Sequence, residues 1–302
     1  MTNCLLRFLN EQDVEYKTGC SLSSISSIGI GGAATVVYPR CSEELIKLID
    51  FLSINNIGYK IIGRMTNVLP CDEDYDGVII LTKMLSSVVF SRNLVKASSG
   101  ISFAKLLLKA SELGLGGAES LYGIPGTLGG MIYSNAGAFG KEISDLVVYV
   151  KVYDPCLRKT RVLFYDDLDF SYRKSVFKDS DLVILSATLK FDFMDADLIK
   201  AGFDHFLKLR KSNQPVGEPS LGSIFKRHPF APISLLIDKS GLKGYRIGGA
   251  EISTKHAGFI VNKGNAKAED VILLIKLIKD KLYADYDIIP EEEIEYLKRK
   301  DK

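Results

Sequence analysis

"SIGIGGAATVVYP" (residues 27–39) contains Gly29-x-Gly31-x-x-Ala34, the spacing of a glycine turn that holds a dinucleotide pyrophosphate. That spacing carries meaning only where a strand leads in and a helix leads out, because the pyrophosphate rests on the helix N-terminus. Here the preceding "SLSSISSI" is serine-rich and weakly apolar, and the following "TVVYP" is β-branched, aromatic and closed by a proline. The stretch therefore predicts a turn followed by a short strand. Asp50 stands near the ~20-residue spacing of a ribose-binding acid, but it falls inside a separate helical pattern. Context excludes the doubly wound nucleotide fold, and the glycines require another explanation.

At 302 residues the chain can build two or three lobes, since domains commonly run ~100–200 residues. Its 46% hydrophobic and 25% charged content is that of an ordinary globular protein, and a net charge of +2 gives no argument for nucleic acid or a membrane surface. No run approaches the ~18 apolar residues of a membrane span. The N-terminal "MTNCLLRFLNEQDVEY" carries Glu11, Asp13 and Glu15 soon after its apolar run, which predicts an amphipathic helix rather than a secretion signal. Five scattered cysteines (Cys4, Cys20, Cys41, Cys71, Cys156) and three separated histidines (His205, His228, His256) predict neither a disulfide framework nor a metal site. The expected compartment is the cytoplasm, with no membrane, nucleic-acid or protein partner.

Periodicity supplies the elements. Ser42 is positioned to cap a helix with Glu43 and Glu44 in its first turn, ending at Asn55–Asn56. "YKIIG" and "GVIILT" predict buried strands, "SSVVFS" and "LVKASSG" a hairpin, and 102–113 a helix stopped by Gly114. Strands follow near 145–154, 159–164 and 182–192, then a helix over 195–211. "SNQPVGEPSLGS" marks a boundary or site loop. A helix near 232–240, strands around 246–253 and 257–262, and an amphipathic helix over 267–285 complete the chain. Without regular βαβ alternation the class is α+β.

Nine of the 26 glycines fall between Gly114 and Gly140, in "GLGGAESLYGIPGTLGGMIYSNAGAFG". Bulky apolar residues are interleaved with them, which predicts a packed loop that brings backbone close to a ligand, its N–H groups able to cradle phosphate without a helix. Taken alone, the cluster also fits a tight structural turn. Together with "GIGGAA", "GRMTN", "SYRKSVFK", "QPVGEPSLGSIFK" and "GLKGYRIGGAEISTKHAGFIVN", in this order, the chain closely resembles the UDP-N-acetylenolpyruvoylglucosamine reductase family from about residue 20 to 297. The resemblance implies a cytoplasmic bacterial flavoenzyme of peptidoglycan precursor synthesis. It also implies non-covalent FAD, NADPH as co-substrate and UDP-N-acetylglucosamine enolpyruvate as substrate.

The same resemblance implies a two-lobed FAD-binding module over 1–192, of the kind shared with vanillyl-alcohol oxidase, with lobes of about 1–82 and 83–192 and the flavin between them. Residues 193–302 would form an α+β substrate-binding domain that closes over the flavin. The expected cofactor contacts are Gly31 and Gly32, then Gly63, Arg64, Met65, Thr66 and Asn67. In the glycine cluster they are Gly123, Pro125, Gly126, Thr127, Gly129, Gly130, Asn135 and Gly137.

The reaction adds hydride to the methylene carbon of an enolpyruvyl ether and a proton to its neighbour. The site needs a cation or protonated acid at the carboxylate and a proton donor over the α-carbon. Arg173 in "SYRKSVFK" matches the family's carboxylate-polarising arginine, suited by its permanent charge and paired donors. Ser223 in "GSIFK" matches the proton donor. In "IIPEEEIEYL" a proline-anchored alignment selects Glu291, whereas a count without gaps from "HAGFIVN" selects Glu293, which directly precedes the alternating Ile294 and Tyr296. Glu293 is taken as the third catalytic residue, and Glu291 and Glu292 as solvated turn residues. Tyr172, Lys226 and Arg227 are the expected substrate contacts.

Two departures from the family pattern stand out: Met65 where glycine is usual, and Thr66 where serine is usual. The glycine loops hold no histidine or cysteine of the kind that links FAD in related oxidases. A purely flavin-binding protein would not need Arg173, Ser223 and Glu293.

Overall fold

In the computed structural model, which describes residues 2–299, the chain folds as two compact units that interleave in sequence. The first comprises Met1–Thr18, Thr35–Arg64 and Gly77–Lys208, and the second Gly19–Ala34, Met65–Asp76 and Leu209–Lys302. A linear boundary at 192 misplaces three pieces. Two short segments of the N-terminal half belong with the C-terminal chain, and the front of helix Ala196–Asn213 belongs with the first unit. Its reason is burial: Ile199 and Phe203 enter the first unit's core, where Phe203 stacks on Tyr122 at 4.3 Å between ring centroids.

The first unit contains two sheets. In one, strands Glu15–Ser21, Ala33–Tyr38, Val78–Leu81 and Tyr59–Ile62 lie in that order, with Val78–Leu81 parallel to both neighbours. Helix Ser42–Ile54 covers it because Leu45, Leu48, Ile49 and Leu52 fall on one helical face. The amphipathic helix Thr2–Glu11 joins it through Leu5 and Leu9, and Phe8 stacks on Phe51. Helix Ser42–Ile54 starts one residue earlier than expected: Cys41 holds the extended N-cap position and Ser42 is already helical. Asp50 accepts a hydrogen bond from the Tyr153 hydroxyl, and burial with this pairing pushes the tyrosine pKa up. That interior pairing accounts for the aspartate without a ribose.

The other sheet is antiparallel, in the order Lys159–Phe164, Val147–Asp154, Val183–Lys190, Leu94–Ser98, Val88–Ser91. Helix Phe103–Ser111 and a short helix Leu128–Tyr133 pack on it around Val95, Val150, Val152, Ala187 and Leu189. The expected hairpin and all three expected strands are present.

The second unit centres on an antiparallel sheet ordered Ser220–Ser223, Phe259–Asn262, Ala250–Ile252, Arg246–Ile247. The single strand expected over 246–253 is a tight hairpin instead, because Gly248 turns the chain at φ 52° against Asp270. Helix Ala268–Tyr286 buries Val271, Leu274, Ile275, Ile278 and Leu282 against this sheet and helix Ile233–Lys239. Segment 65–76 threads through the unit, and strand Val68–Pro70 pairs in parallel with Glu295–Leu297. The architecture is α+β, as the pattern implies, and no helix among the described residues is long and apolar enough to cross a membrane.

The start of the long C-terminal helix is satisfied from a distance. Asp72 accepts from the amides of Ala268 at 2.8 Å and Glu269 at 3.4 Å, so a loop some two hundred residues earlier caps it. Replacing Asp72 by Ala should lower the unfolding free energy by about 1 kcal/mol, read as a shift in the denaturant midpoint. Replacing the exposed neighbour Glu73 should leave it unchanged.

Candidate functional site

Two glycine-bearing segments meet in the first unit. A Cβ at Gly63, which follows strand Tyr59–Ile62, would lie 2.3 Å from Thr127 Oγ1, so only glycine fits there. Thr127 is itself buried and caps the short helix Leu128–Tyr133, its hydroxyl accepting from Gly130 N at 3.3 Å. The glycine cluster is therefore not wholly irregular. The amides of Leu128 and Gly129 donate to Ile101 O and Ser99 O at 3.0 and 2.7 Å. The first amides of this helix are thus held within the protein. What the segment offers a ligand is backbone surface: Gly123 (φ 89°) and Gly126 (φ 153°) are half-buried and Gly130 is exposed. A side-chain-free surface of this kind, with the exposed cation Arg64 following Gly63, fits a flat, phosphate-bearing dinucleotide.

The end of the same cluster organises Arg173. Asn135 is 1% exposed and stands at φ 41°. Its amide donates to Glu142 Oε2 at 2.7 Å and Ser171 O at 3.0 Å, and its oxygen accepts from Ser144 N at 3.2 Å. Asn135 is thus a framework residue whose side chain holds the loop. Ser171 and Lys174 exchange backbone hydrogen bonds, which places Tyr172 and Arg173 at the tip of a two-residue turn with Arg173 at φ 58°. The guanidinium donates to Gly137 O at 2.8 Å and Asn135 O at 3.4 Å, lies 3.8 Å from Glu142 Oε1, and sits 5.0 Å from the Tyr172 ring centre. Its side chain is 15% exposed. A lone surface arginine would be mostly solvated; this one is held in place by carbonyl oxygens. Glu142 carried no local sequence signal, because its partners come from segments seven and thirty-one residues away.

In the second unit the opening glycines have a packing role. A Cβ at Gly31 (φ 127°) would meet Leu22 and Pro70 at 2.8 Å, and one at Gly32 would meet Glu73 O at 2.4 Å. The "GIGG" turn is pressed against segment 65–76, with Gly32 N donating to Cys71 O. Met65 is 1% exposed and left-handed at φ 54°. That conformation is the physical reason glycine suits the position. Two residues on, Asn67 donates its side-chain amide to Glu293 O at 2.9 Å, and its carbonyl accepts from Glu295 N at 2.9 Å.

Ser223 ends the edge strand Ser220–Ser223, and its hydroxyl donates to Phe225 O at 3.1 Å. Glu293 N donates to Ile224 O at 2.8 Å and Lys226 N donates to Glu291 O at 2.9 Å, so the whole glutamate run lies beside the serine's segment. The other two glutamates are not merely solvated. Glu291 pairs with Lys226, and Glu292 is half-buried between Lys279 and the Tyr296 hydroxyl. Burial and that hydrogen bond push the Tyr296 pKa up. Lys226, an expected substrate contact, has a carboxylate partner in Glu291, and the next residue, Arg227, is exposed. Next to this segment, burial lowers the His256 pKa, in keeping with Nδ1 accepting from Gly258 N at 3.1 Å.

The Gly63–Thr127 contact generates a coupling. Gly63→Ala should destabilise the protein by about 1–3 kcal/mol, the usual cost of overpacking, and should cost less once Thr127→Ala has removed the opposing hydroxyl. Denaturant midpoints of the four proteins measure this. Strict additivity would mean that the two side chains do not meet.

A family profile for the UDP-N-acetylenolpyruvoylglucosamine reductase C-terminal domain matches residues 214–297, and one for an FAD-binding domain matches 33–156. The UDP-N-acetylenolpyruvoylglucosamine reductase of Caldicellulosiruptor bescii is 40% identical over 295 residues, covering 96% of this chain and 93% of its own. That of Thermosipho melanesiensis is 39% identical over 298 residues, covering 98% and 99%. The crystal structure of the Thermus caldophilus reductase superposes with a TM-score of 0.82 at 28% identity, covering 94% of this chain and all of that one. With likeness at this level over nearly the full length of its relatives, and with an FAD-binding domain, the chain belongs to the UDP-N-acetylenolpyruvoylglucosamine reductase family and is an FAD-dependent oxidoreductase.

Proposed function

We propose that this protein reduces UDP-N-acetylglucosamine enolpyruvate to UDP-N-acetylmuramate with NADPH, in the bacterial cytoplasm, for peptidoglycan precursor synthesis. The observation that carries the reading is that the glutamate run 291–293 lies along the segment of Ser223, Glu293 N donating to Ile224 O and Lys226 N to Glu291 O. The choice of Glu293 within that run comes from the gapless count. The FAD is non-covalent in this reading. It is held by the backbones of Gly63, Arg64, Met65, Thr66 and Asn67, of Gly31 and Gly32, and of the loop from Gly123 through Pro125, Gly126 and Thr127 to Gly129, Gly130 and Gly137. When bound, FAD would supply the hydride chemistry that links NADPH to the methylene carbon of the substrate.

The chain's own residues handle charge and protons. Arg173 grips the substrate carboxylate, and its three oxygen neighbours keep the guanidinium oriented before substrate arrives. Ser223 Oγ gives its proton to the α-carbon as negative charge develops there. A serine hydroxyl is a weak acid, so it serves only a strongly basic carbon and only from a fixed position. Glu293 completes the charge handling around the carboxylate-bearing fragment. Tyr172, Lys226 and Arg227 contact the substrate, with Lys226 exchanging Glu291 for the diphosphate.

Two results test this. The purified protein should be yellow, release FAD on denaturation, and sustain NADPH oxidation beyond the one equivalent that bleaches the flavin only when the enolpyruvyl substrate is present. NADPH oxidation indifferent to that substrate would overturn the reading. Glu293→Gln should lower kcat by at least ~10²-fold, as expected for a group that handles a proton. Glu291→Gln, which removes one exposed ion pair, should stay within about twofold.

A further inference from the structure

Ser27 has no part in the chemistry above, yet three segments of the second unit meet on it. Its amide donates to Met65 O at 3.2 Å, and its carbonyl accepts from Ser220 N at 3.1 Å. Its hydroxyl lies 2.6 Å from Ser220 O and 3.2 Å from Met65 O. A hydroxyl carries one proton, and the shorter contact is the stronger claimant. Ser27 therefore clasps Ser220 at both its amide and its carbonyl.

Ser220 is the first residue of the strand that ends in Ser223. That strand does not fix its own register. Its pairing with Phe259–Asn262 shifts between Ser220 and Ser223, and Gly222 turns at φ 80°. Beyond the strand Ile224 is held at both its amide, by Gly258 O, and its carbonyl, by Glu293 N. With an irregular ladder between, the place of Ser223 is set by this end together with the anchor on the strand's first residue. Segment 65–67 completes the arrangement: Met65 is bound to Ser27 at one end, and Asn67 holds Glu293 O at the other. By contrast the neighbouring Ser26 closes a local loop, its hydroxyl bonding only the carbonyl and amide of Ile30.

We propose that Ser27 is a positioning residue for carbon protonation: its hydroxyl anchors Ser220 and thereby sets where the Ser223 hydroxyl stands. The inference rests on the reading of Ser223 as proton donor. Ser27 itself touches neither substrate nor cofactor in this account.

The test uses the full chain loaded with FAD and stopped-flow absorbance of the flavin. Ser27→Ala should keep bleaching by NADPH within about twofold and slow reoxidation by the enolpyruvyl substrate at least ~10-fold, as expected when a reacting group is misplaced. Ser27→Thr, which restores the hydroxyl, should recover the rate to within about threefold. In a Ser223→Ala background, Ser27→Ala should add less than about twofold, because a residue acting only through Ser223 has nothing left to position. A merely structural role would slow both half-reactions, or would add its full effect to that of Ser223→Ala. Either result overturns the proposal, as does unchanged reoxidation.

Hydrogen exchange on the flavin-free protein gives a readout independent of activity. Ser27→Ala should speed exchange at 220–223 by roughly 10-fold, the size of one lost hydrogen bond, and leave strand Val147–Asp154 and the Ser26→Ala protein unchanged at those amides. Unchanged exchange at 220–223 contradicts the anchoring. If Ser27→Ala does not fold, Ser27→Cys, with its weaker donor, should show the same pattern at smaller size, and parent-like behaviour would overturn the claim. A parent protein that does not turn over this substrate would defeat the functional reading instead, and the exchange result would still decide the anchoring.

Discussion

A single left-handed residue, Met65, is the constraint around which the second unit is assembled. Holding a non-glycine side chain at φ 54° costs on the order of 1 kcal/mol, and the conformation persists because the surroundings require it. The side chain is buried, the carbonyl is bound by Ser27, and the chain beyond runs straight into strand Val68–Pro70. Asn67 then ties to Glu293, Pro70 packs on Gly31, and Asp72 caps the C-terminal helix. Two separate stretches, Gly19–Ala34 and Leu209–Lys302, are thus tied into one unit by the dozen residues of Met65–Asp76.

Arg173 shows the same logic in the first unit. Taking a guanidinium out of water is unfavourable unless its donors are met. Here carbonyls from the end of the glycine cluster, together with Glu142, surround it. Asn135 makes that possible by fixing the loop with its own side chain, and the left-handed turn at Arg173 aims the side chain back at the loop. Backbone strain at Met65 and Arg173, both proposed above as site residues, is the kind of outlier that a fold retains where geometry matters more than local stability.

Much of this was legible in the sequence. Long periodic elements such as 42–54, 147–154 and 268–286 declare themselves through the spacing of Leu, Ile and Val, because burial on one face leaves a regular trace. The motif set carries the family, and the glutamate run it points to lies along the segment of Ser223. What the sequence hides is non-local. No periodicity reveals that Asp72 caps a helix beginning at Ala268, that Glu142 holds Arg173, or that Ser27 grips Ser220. Short edge pieces such as Val68–Pro70 and Ser220–Ser223 are strands only because a distant partner offers hydrogen bonds, and the interleaving of the units follows from them. The glycines at 31 and 63 read as ligand contacts, yet each has a packing neighbour that excludes a Cβ.

Ser223 offers the most direct test of the account, because proton delivery to carbon has no counterpart in the reaction of NADPH with the flavin. Stopped-flow absorbance of Ser223→Ala separates the two halves. Bleaching by NADPH should stay close to the parent rate, while reoxidation by UDP-N-acetylglucosamine enolpyruvate should fall by at least ~10²-fold, the lower end of what a positioned general acid contributes. Reoxidation at the parent rate would contradict the assignment of the proton to Ser223.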